Sequence, residues 1–197
     1  MIKHVLFLAS ILTFAACNKT DELPENPKEH NEQEMITTIQ LIGGVMDNSN
    51  DTLHHFTATW SDPDGAGGNL PTIDTLVLDT GVFYWVNVVL LNTTKNPIDT
   101  ISNEVYEERN VHQFFYTLSE NLENKVKLNI LDFDNNTPPL PVGLSITLNT
   151  KTNTTYSLPI LGSLRVQLSH YDGVPKTNAP SNETDLDVVF PVKLRDR

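Results

Sequence analysis

Residues 186–194 read LDVVFPVKL, and this run decides the fold class. Apolar side chains occupy every second position: Leu186, Val188, Phe190, Val192 and Leu194. Asp187 and Lys193 lie between them. Because successive side chains of a strand point to opposite faces of its sheet, this alternation predicts a strand with one buried face. Pro191 falls on the outward face and cannot donate a ladder hydrogen bond, so the strand is expected at a sheet edge.

Further runs with alternating or β-branched character predict strands along the rest of the chain. They lie at 35–41, 54–60, 75–78, 83–91, 111–118, 126–130, 144–148 and 164–168. Residues 83–91 (FYWVNVVLL) are apolar on both faces, which predicts a central strand. Turn-forming residues separate the runs, as in Asp-Pro-Asp-Gly at 62–65 and Tyr-Asp-Gly at 171–173.

One segment has helical character. Residues 99–109 (DTISNEVYEER) begin with possible capping residues, and Ile101 and Val105 lie four apart on one face. Many short strands with one short helix predict an all-β fold, a two-sheet antiparallel sandwich that is Ig-like or similar. A β-barrel is the alternative.

The N-terminus predicts export and a lipid anchor. Residues 5–16 form a short apolar run after Lys3, typical of a signal peptide and too short to span a bilayer. The run ends in Phe-Ala-Ala before Cys17, which resembles the lipobox of bacterial lipoproteins, although Leu is usual where Phe14 stands. Cys17 is the only cysteine in the chain, and in that class it carries the fatty acids, palmitate among them. We expect a signal peptide at 1–16, a lipidated flexible tether at 17–34 and a β-sandwich domain at 35–197.

The composition excludes several classes of function. The formal net charge of −12 argues against nucleic-acid binding, which needs a basic surface. A hydrolase elbow, a Walker loop, a dinucleotide fingerprint and the HExxH and CxxC motifs are all absent from the sequence. Since the single cysteine is assigned to lipid, thiol catalysis is excluded as well. The sequence therefore predicts a protein that is not an enzyme.

Two places have oxygen or imidazole ligands at spacings that suit a divalent cation. Asp62 and Asp64 precede glycines and resemble the start of a calcium loop, but Ala66 stands where a third ligand is expected. A glycine-rich turn is the alternative. Glu108 and His112 would share a face with Glu104 if the helix continued, and this set suits zinc or a similar ion. Here the alternative is a solvated acidic helix face, because the chain returns to strand character at 111.

His170 continues the inward face of the strand at 164–168. A lone histidine at the end of an apolar face is typical of a hydrogen-bonded residue at the rim of the core. We therefore expect His170 to be such a rim residue, with a ligand role as the alternative. Apart from a divalent cation, the sequence predicts no cofactor.

Five segments in order resemble a family of short outer-membrane lipoproteins of Gram-negative bacteria that often accompany TonB-dependent receptors. They are the run into Ile-Thr-Thr at 30–38, WSDPDG at 60–65 with Gly67-Gly68, Glu107-Glu108 with HQFFY at 112–116, LSH at 168–170, and TDLD at 184–187 with FPV at 190–192. Asp21 and Glu22 also resemble the export signal that takes some lipoproteins to the outer face of the outer membrane.

The resemblance implies an outer-membrane location, at the cell surface or on the periplasmic face. It implies a non-catalytic ligand-binding or accessory role beside a TonB-dependent receptor. A secreted glycan-active hydrolase and a purely structural envelope protein remain as alternatives.

Overall fold

A computed structural model of the chain describes residues 34–46, 52–65, 67–152 and 155–197. The predicted signal peptide, Cys17 and residues 18–33 of the predicted tether lie outside the described residues. The described part contains ten strands and two helices. They are β1 Thr38–Met46, β2 Thr52–Ser61, β3 Thr72–Ile73, β4 Leu76–Asp79, β5 Phe83–Leu91, α1 Ile101–Glu107, β6 His112–Leu118, α2 Glu120–Glu123, β7 Val126–Ile130, β8 Ser145–Thr150, β9 Ile160–His170 and β10 Glu183–Arg195.

The strands form two sheets, and the predicted all-β sandwich is confirmed. One sheet has six strands in the order β3-β2-β1-β5-β8-β7, and the other has four in the order β4-β10-β9-β6. Nearly all neighbours are antiparallel, and β4 alone among the described strands pairs in parallel, with β10. The apolar run at 83–91 is β5, which lies between β1 and β8 as predicted.

The core lies between the two sheets and follows the period of two. In β10 the residues Leu186, Val188, Phe190, Val192 and Leu194 are all buried. Phe114 of β6 and Phe190 are the largest of the fully buried side chains. Truncation of either to alanine should lower the free energy of unfolding by about 3–5 kcal/mol. The sandwich is thus held together by burial of alternate strand positions.

The prediction that β10 is an edge strand is wrong, because β4 covers part of it. The β4 pairing begins with Val192 opposite Leu76, immediately after Pro191. On its other side Pro191 lies opposite Ser163 of β9. The proline therefore stands just before the segment that β4 pairs with, where its missing N–H leaves that ladder intact.

The helical segments differ from the prediction in detail. Ile101 and Val105 of α1 are buried on one face, as predicted. The hydroxyl of Ser102 does not cap the helix but accepts a hydrogen bond from the N–H of Leu90. The second helix, α2, is a single turn with one buried residue, Leu122, and is too short to show a helical period. Neither helix is long and apolar enough to cross a membrane.

Candidate metal centre

Two histidines meet at one end of the four-stranded sheet. His112 is the first residue of β6, His170 is the last of β9, and the antiparallel register places them directly opposite each other. Their rings stack with centroids 4.4 Å apart and an interplanar angle of 27°. Both residues are buried. Strand pairing, and not spacing along the chain, therefore brings two imidazoles together.

A bulge in β10 delivers a carboxylate to the same place. Thr184 pairs with Ser169 and Leu186 pairs with Leu168, so the intervening Asp185 has no partner on β9. Such an extra residue changes the direction of its side chain, and bulges are common beside functional sites. One carboxylate oxygen, Oδ2, lies 3.6 Å from Nε2 of His112. The other, Oδ1, lies 3.9 Å from Nδ1 of His170.

Two glutamates approach His112 from other directions. Glu34 precedes β1, and its Oε2 lies 3.9 Å from Nε2 of His112 with the side chain only 6% exposed. Glu108 follows α1, and its carboxylate lies 3.9 Å from Nδ1 of His112 but is 42% exposed. The backbone carbonyl of Glu108 is also 3.2 Å from Nδ1. His112 thus has carboxylates near both ring nitrogens.

The Glu108 carbonyl determines which nitrogen of a neutral His112 carries the proton. A carbonyl only accepts hydrogen bonds, so Nδ1 must be the donor to it. Nε2 of the neutral ring then has a lone pair and points toward Asp185 and Glu34. A hydrogen bond from Nδ1 to a backbone carbonyl is the usual support for a histidine that binds a metal through Nε2.

Nε2 of His112 therefore has a carboxylate oxygen near it from each of two residues, Asp185 and Glu34. Nε2 of His112, Oδ2 of Asp185 and Oε2 of Glu34 are all buried and have no hydrogen-bond partner among the described residues. Native proteins rarely leave buried polar atoms unpaired, and each one costs about 1–3 kcal/mol. Their separations of 3.6 and 3.9 Å are too long for hydrogen bonds. Ligand atoms around a tetrahedral zinc lie about 3.3–3.6 Å apart, which is close to the shorter separation.

The pKa values show that this site attracts positive charge. Burial raises the pKa of Glu34 to about 7, with Asp185 and Glu108 adding to the rise and His112 opposing it. Burial lowers the pKa of His112, but Asp185, Glu34 and the Glu108 carbonyl raise it more, so that it lies above its ordinary value of 6.5. Each group is thus stabilised when a proton or another cation is bound nearby.

The donor atoms form two overlapping sets around His112. One set is His112, His170 and Asp185, and the other is Glu34, Glu108 and His112; within each set the ligand atoms lie within 4.8 Å of one another. Imidazole nitrogens with carboxylate oxygens suit zinc and other first-row transition ions. Calcium takes six to eight oxygen ligands and is disfavoured by imidazole.

The predicted pair Glu108 and His112 lies together, but not through one helix. α1 ends at Glu107, and a turn in which the N–H of Val111 donates to the Glu108 carbonyl leads into β6. The chain returns to strand character at 111, so the two residues do not share a helix face. They nevertheless lie close together.

The predicted pair Asp62 and Asp64 lies in a turn with its own hydrogen bonds. Oδ2 of Asp64 accepts bonds from the backbone N–H and the side-chain amide of Asn69, at 2.9 and 2.7 Å. These bonds lower the pKa of the exposed Asp64 carboxyl. Among the described residues, neither aspartate belongs to a group of three potential ligands. The turn is closed by Asn69, which favours the glycine-rich turn over a calcium loop.

Sequence reasoning missed three members of the site. Glu34 was assigned to the tether, His170 to the rim of the core and Asp185 to no role. The histidines could have been paired only from the strand register, and the Asp185 bulge has no local signature in the sequence. Glu34 ends a polar, proline-containing stretch of sequence, and the composition of that stretch does not indicate that Glu34 is buried.

Two clefts lie near this end of the sheet. One, of about 290 Å³, is lined by His170 together with Tyr171, Ser181 and Glu183 among others. The second, of about 630 Å³, is lined by Asn110, Val111 and Lys176 among others. His170 therefore belongs to the buried cluster and also lines the first cleft.

No protein-family model matches the chain, and neither a curated protein nor a solved structure shows significant similarity to it.

Proposed function

We propose that this chain is a lipid-anchored, non-catalytic binding protein of the outer membrane whose folded domain binds a divalent transition-metal ion, with zinc as the reference ion. The observation that carries the proposal is that Nε2 of His112 lies close to buried carboxylate oxygens of Asp185 and Glu34, and that none of the three atoms has a hydrogen-bond partner among the described residues. A cation bound between these atoms would accept their lone pairs and so pair atoms that have no hydrogen-bond donor. His170 supplies a second imidazole beside Asp185.

The donor atoms favour zinc and its neighbours over other ions. Both histidines can offer a nitrogen, and the carboxylates offer oxygens at comparable distances. Mixed nitrogen and oxygen donors in a compact arrangement are typical of zinc, whereas magnesium and calcium require mostly oxygen. Copper binds such donors more tightly than zinc in the general order of affinities, so the ion in the cell depends on availability.

The burial of the site supports a role in binding and not in catalysis. The side chains of His112, Asp185, His170 and Glu34 are at most 6% exposed. A catalytic zinc keeps one position open for water and substrate, whereas a structural or storage site is closed by protein ligands. A closed site offers no position for a glycan substrate, so the hydrolase alternative is the weaker one.

The lipobox-like sequence before Cys17 supports the anchor, and the resemblance to receptor-associated lipoproteins supports the partner. A domain that holds a metal ion beside a TonB-dependent receptor suits an accessory role in the uptake of a ligand. Replacing Cys17 with serine should release the protein from the membrane fraction, and crosslinking should recover the receptor. Retention of the Cys17→Ser variant in the membrane in unchanged amount would argue against the anchor.

Thermal melts of the full chain in detergent with zinc, calcium or chelator test the metal site. An ion that binds only the folded form stabilises it by about 2.7 kcal/mol at a hundredfold excess over its dissociation constant. For a domain of this size that corresponds to a rise in melting temperature of roughly 5–11 °C. We expect this rise with zinc, its loss in His112→Ala and its retention in Asp64→Ala. A melting temperature that does not respond to zinc, or a calcium response that is lost in Asp64→Ala, would contradict the proposal.

A further inference from the structure

We propose that Glu34 is a ligand of the ion held by His112 and Asp185, so that the ion fastens the start of the folded domain at the point where the predicted tether ends. This inference rests on the proposed metal site and adds that binding of the ion determines whether residue 34 is held against the domain. The ion would link residue 34 to β6 and β10, which lie far along the chain.

The geometry around Glu34 supports a ligand and not a buried spacer. Its Oε2 points toward Nε2 of His112 at 3.9 Å, and the side chain is 6% exposed. Oε2 has no hydrogen-bond partner among the described residues. A glutamate that served only to extend the chain would leave its carboxylate in water, where it is solvated.

The backbone next to Glu34 is fastened from Thr37 onward. The N–H of Thr37 donates to the carbonyl of Leu91, and the carbonyl of Thr37 accepts from the N–H of Asp62. Closer to the N-terminus, the N–H of Ile36 donates to the carbonyl of Glu34 itself. The bond of Ile36 therefore holds the local turn, and the Glu34 carboxylate places this turn beside His112 of β6.

The charges around Glu34 make its position depend on the cation. The carboxylates of Asp185, Glu108 and Glu104 all have the same sign as Glu34 and raise its pKa. Without a cation, a buried carboxylate beside like charges is more stable in water than in the cluster. With a divalent cation on His112 and Asp185, the same carboxylate is attracted inward. Metal binding and the seating of Glu34 are thus two coupled equilibria.

Coupling of this kind is reciprocal, and this makes it measurable from both sides. If the seated carboxylate strengthens metal binding by a given factor, the metal favours the seated state by the same factor. Removal of one ligand should weaken zinc binding by about 10- to 100-fold, within the usual range of coupling between sites. The amide of Ile36 should become protected from hydrogen exchange by a comparable factor when zinc is added.

The experiment compares zinc affinity and amide exchange in the full chain, solubilised in detergent, with Glu34→Gln and the control Glu104→Gln. Glu104 lies in the first turn of α1, is exposed and contributes the same charge to the surroundings of Glu34. We expect Glu34→Gln to lose about 10- to 100-fold in zinc affinity and to lose the zinc-dependent protection of Ile36. Glu104→Gln should keep both. Glu34→Asp, which keeps the charge and withdraws the carboxylate, should also bind zinc more weakly.

The outcomes separate this inference from the function on which it rests. Unchanged zinc affinity and unchanged Ile36 protection in Glu34→Gln would overturn Glu34 as a ligand and leave the metal site of His112 and Asp185 in place. No zinc binding by the wild-type chain would overturn both. An equal loss of affinity in Glu34→Gln and Glu104→Gln would show a general effect of charge and would overturn Glu34 as a ligand.

Discussion

Replacing Asp185 with asparagine should stabilise the protein in the absence of metal and abolish its response to zinc. In the wild-type chain, Oδ2 of Asp185 faces Nε2 of His112 at 3.6 Å, and neither atom has a donor. An asparagine amide at this position can donate to Nε2 after a shift of a few tenths of an ångström. The substitution also removes one of the negative charges near Glu34. The change therefore pairs a buried acceptor in the metal-free protein and removes a proposed metal ligand.

The size of the effect follows from the unpaired atoms. A buried polar atom without a partner costs about 1–3 kcal/mol, and the new hydrogen bond pairs Nε2. We therefore expect the free energy of unfolding of metal-free Asp185→Asn to exceed that of the wild type by about 1–3 kcal/mol. In a domain of 150–250 residues, each kcal/mol raises the melting temperature by roughly 2–4 °C. The expected rise is thus roughly 2–12 °C, whereas most substitutions destabilise a protein.

The assay is a thermal melt with chelator and a second melt with zinc, both at mildly alkaline pH, above the pKa of Glu34 of about 7. Asp187→Asn is the matched control, since Asp187 lies two residues along the same strand and forms an exposed ion pair with Arg165. Exposed ion pairs contribute about 0–1 kcal/mol, so the control should be close to the wild type without metal. It should also keep the full response to zinc.

Two results would refute this reasoning. If metal-free Asp185→Asn melts below the wild type by more than the control does, the aspartate stabilises the domain as part of a structural network. If Asp185→Asn keeps the zinc response, the ion binds elsewhere in the chain. Both results are read from the same pair of melts.

Two predictions concern the structure around the site. Burial raises the pKa of Asp134, but hydrogen bonds from the N–H groups of Leu140 and Asn136 and from Lys176 lower it more, so that it lies below its ordinary value of 3.8. The ionised carboxylate therefore stabilises the fold above pH 3.8, and this contribution is lost as the pH falls through the lower pKa of the folded state. Asp134→Asn should cost about 3–5 kcal/mol at neutral pH, because it leaves the buried Lys176 ammonium without its carboxylate, although Nζ still donates to the carbonyl of Arg109. Urea unfolding should show this difference from wild type shrinking in acid. Gly143→Ala should destabilise the protein more than Gly173→Ala in the same assay. Both glycines have positive φ, but a Cβ at Gly143 would lie 2.7 Å from Phe114, whereas at Gly173 nothing lies within 4 Å. Equal losses at the two glycines would contradict the crowding at Phe114.

The strands could be predicted from the sequence because their pattern is local. Alternation at 164–168 and 186–194 reflects burial against the opposite sheet, and the structure places β9 and β10 there. The pairing of β4 with β10 could not be predicted, because it depends on which distant segment covers the exposed edge. Pro191 was therefore taken for a sign of an edge strand, although β4 begins its pairing one residue later.

The candidate metal centre could be predicted only in part, since its residues come from four separate segments. Glu108 and His112 are close in sequence, and their spacing suggested a ligand pair. His170 and Asp185 join them only after β6, β9 and β10 have paired in a specific register with a bulge. Glu34 joins them because the chain before β1 turns over the same end of the sheet. Long-range pairing of this kind leaves no periodic signal in the sequence.

The distances in the cluster also bear on whether a proton or a metal ion balances its charge. A proton shared between His112 and Asp185 would draw Nε2 and Oδ2 to about 2.7–2.9 Å, the usual length of a charge-assisted bond. They lie 3.6 Å apart, while His112 is held on its other side by the Glu108 carbonyl and by stacking on His170. These contacts are made on other sides of the ring, and the gap of 3.6 Å to the carboxylate is close to that between two ligands of one zinc ion. The spacing is therefore longer than that of a charge-assisted hydrogen bond and close to the one that the proposed metal site requires.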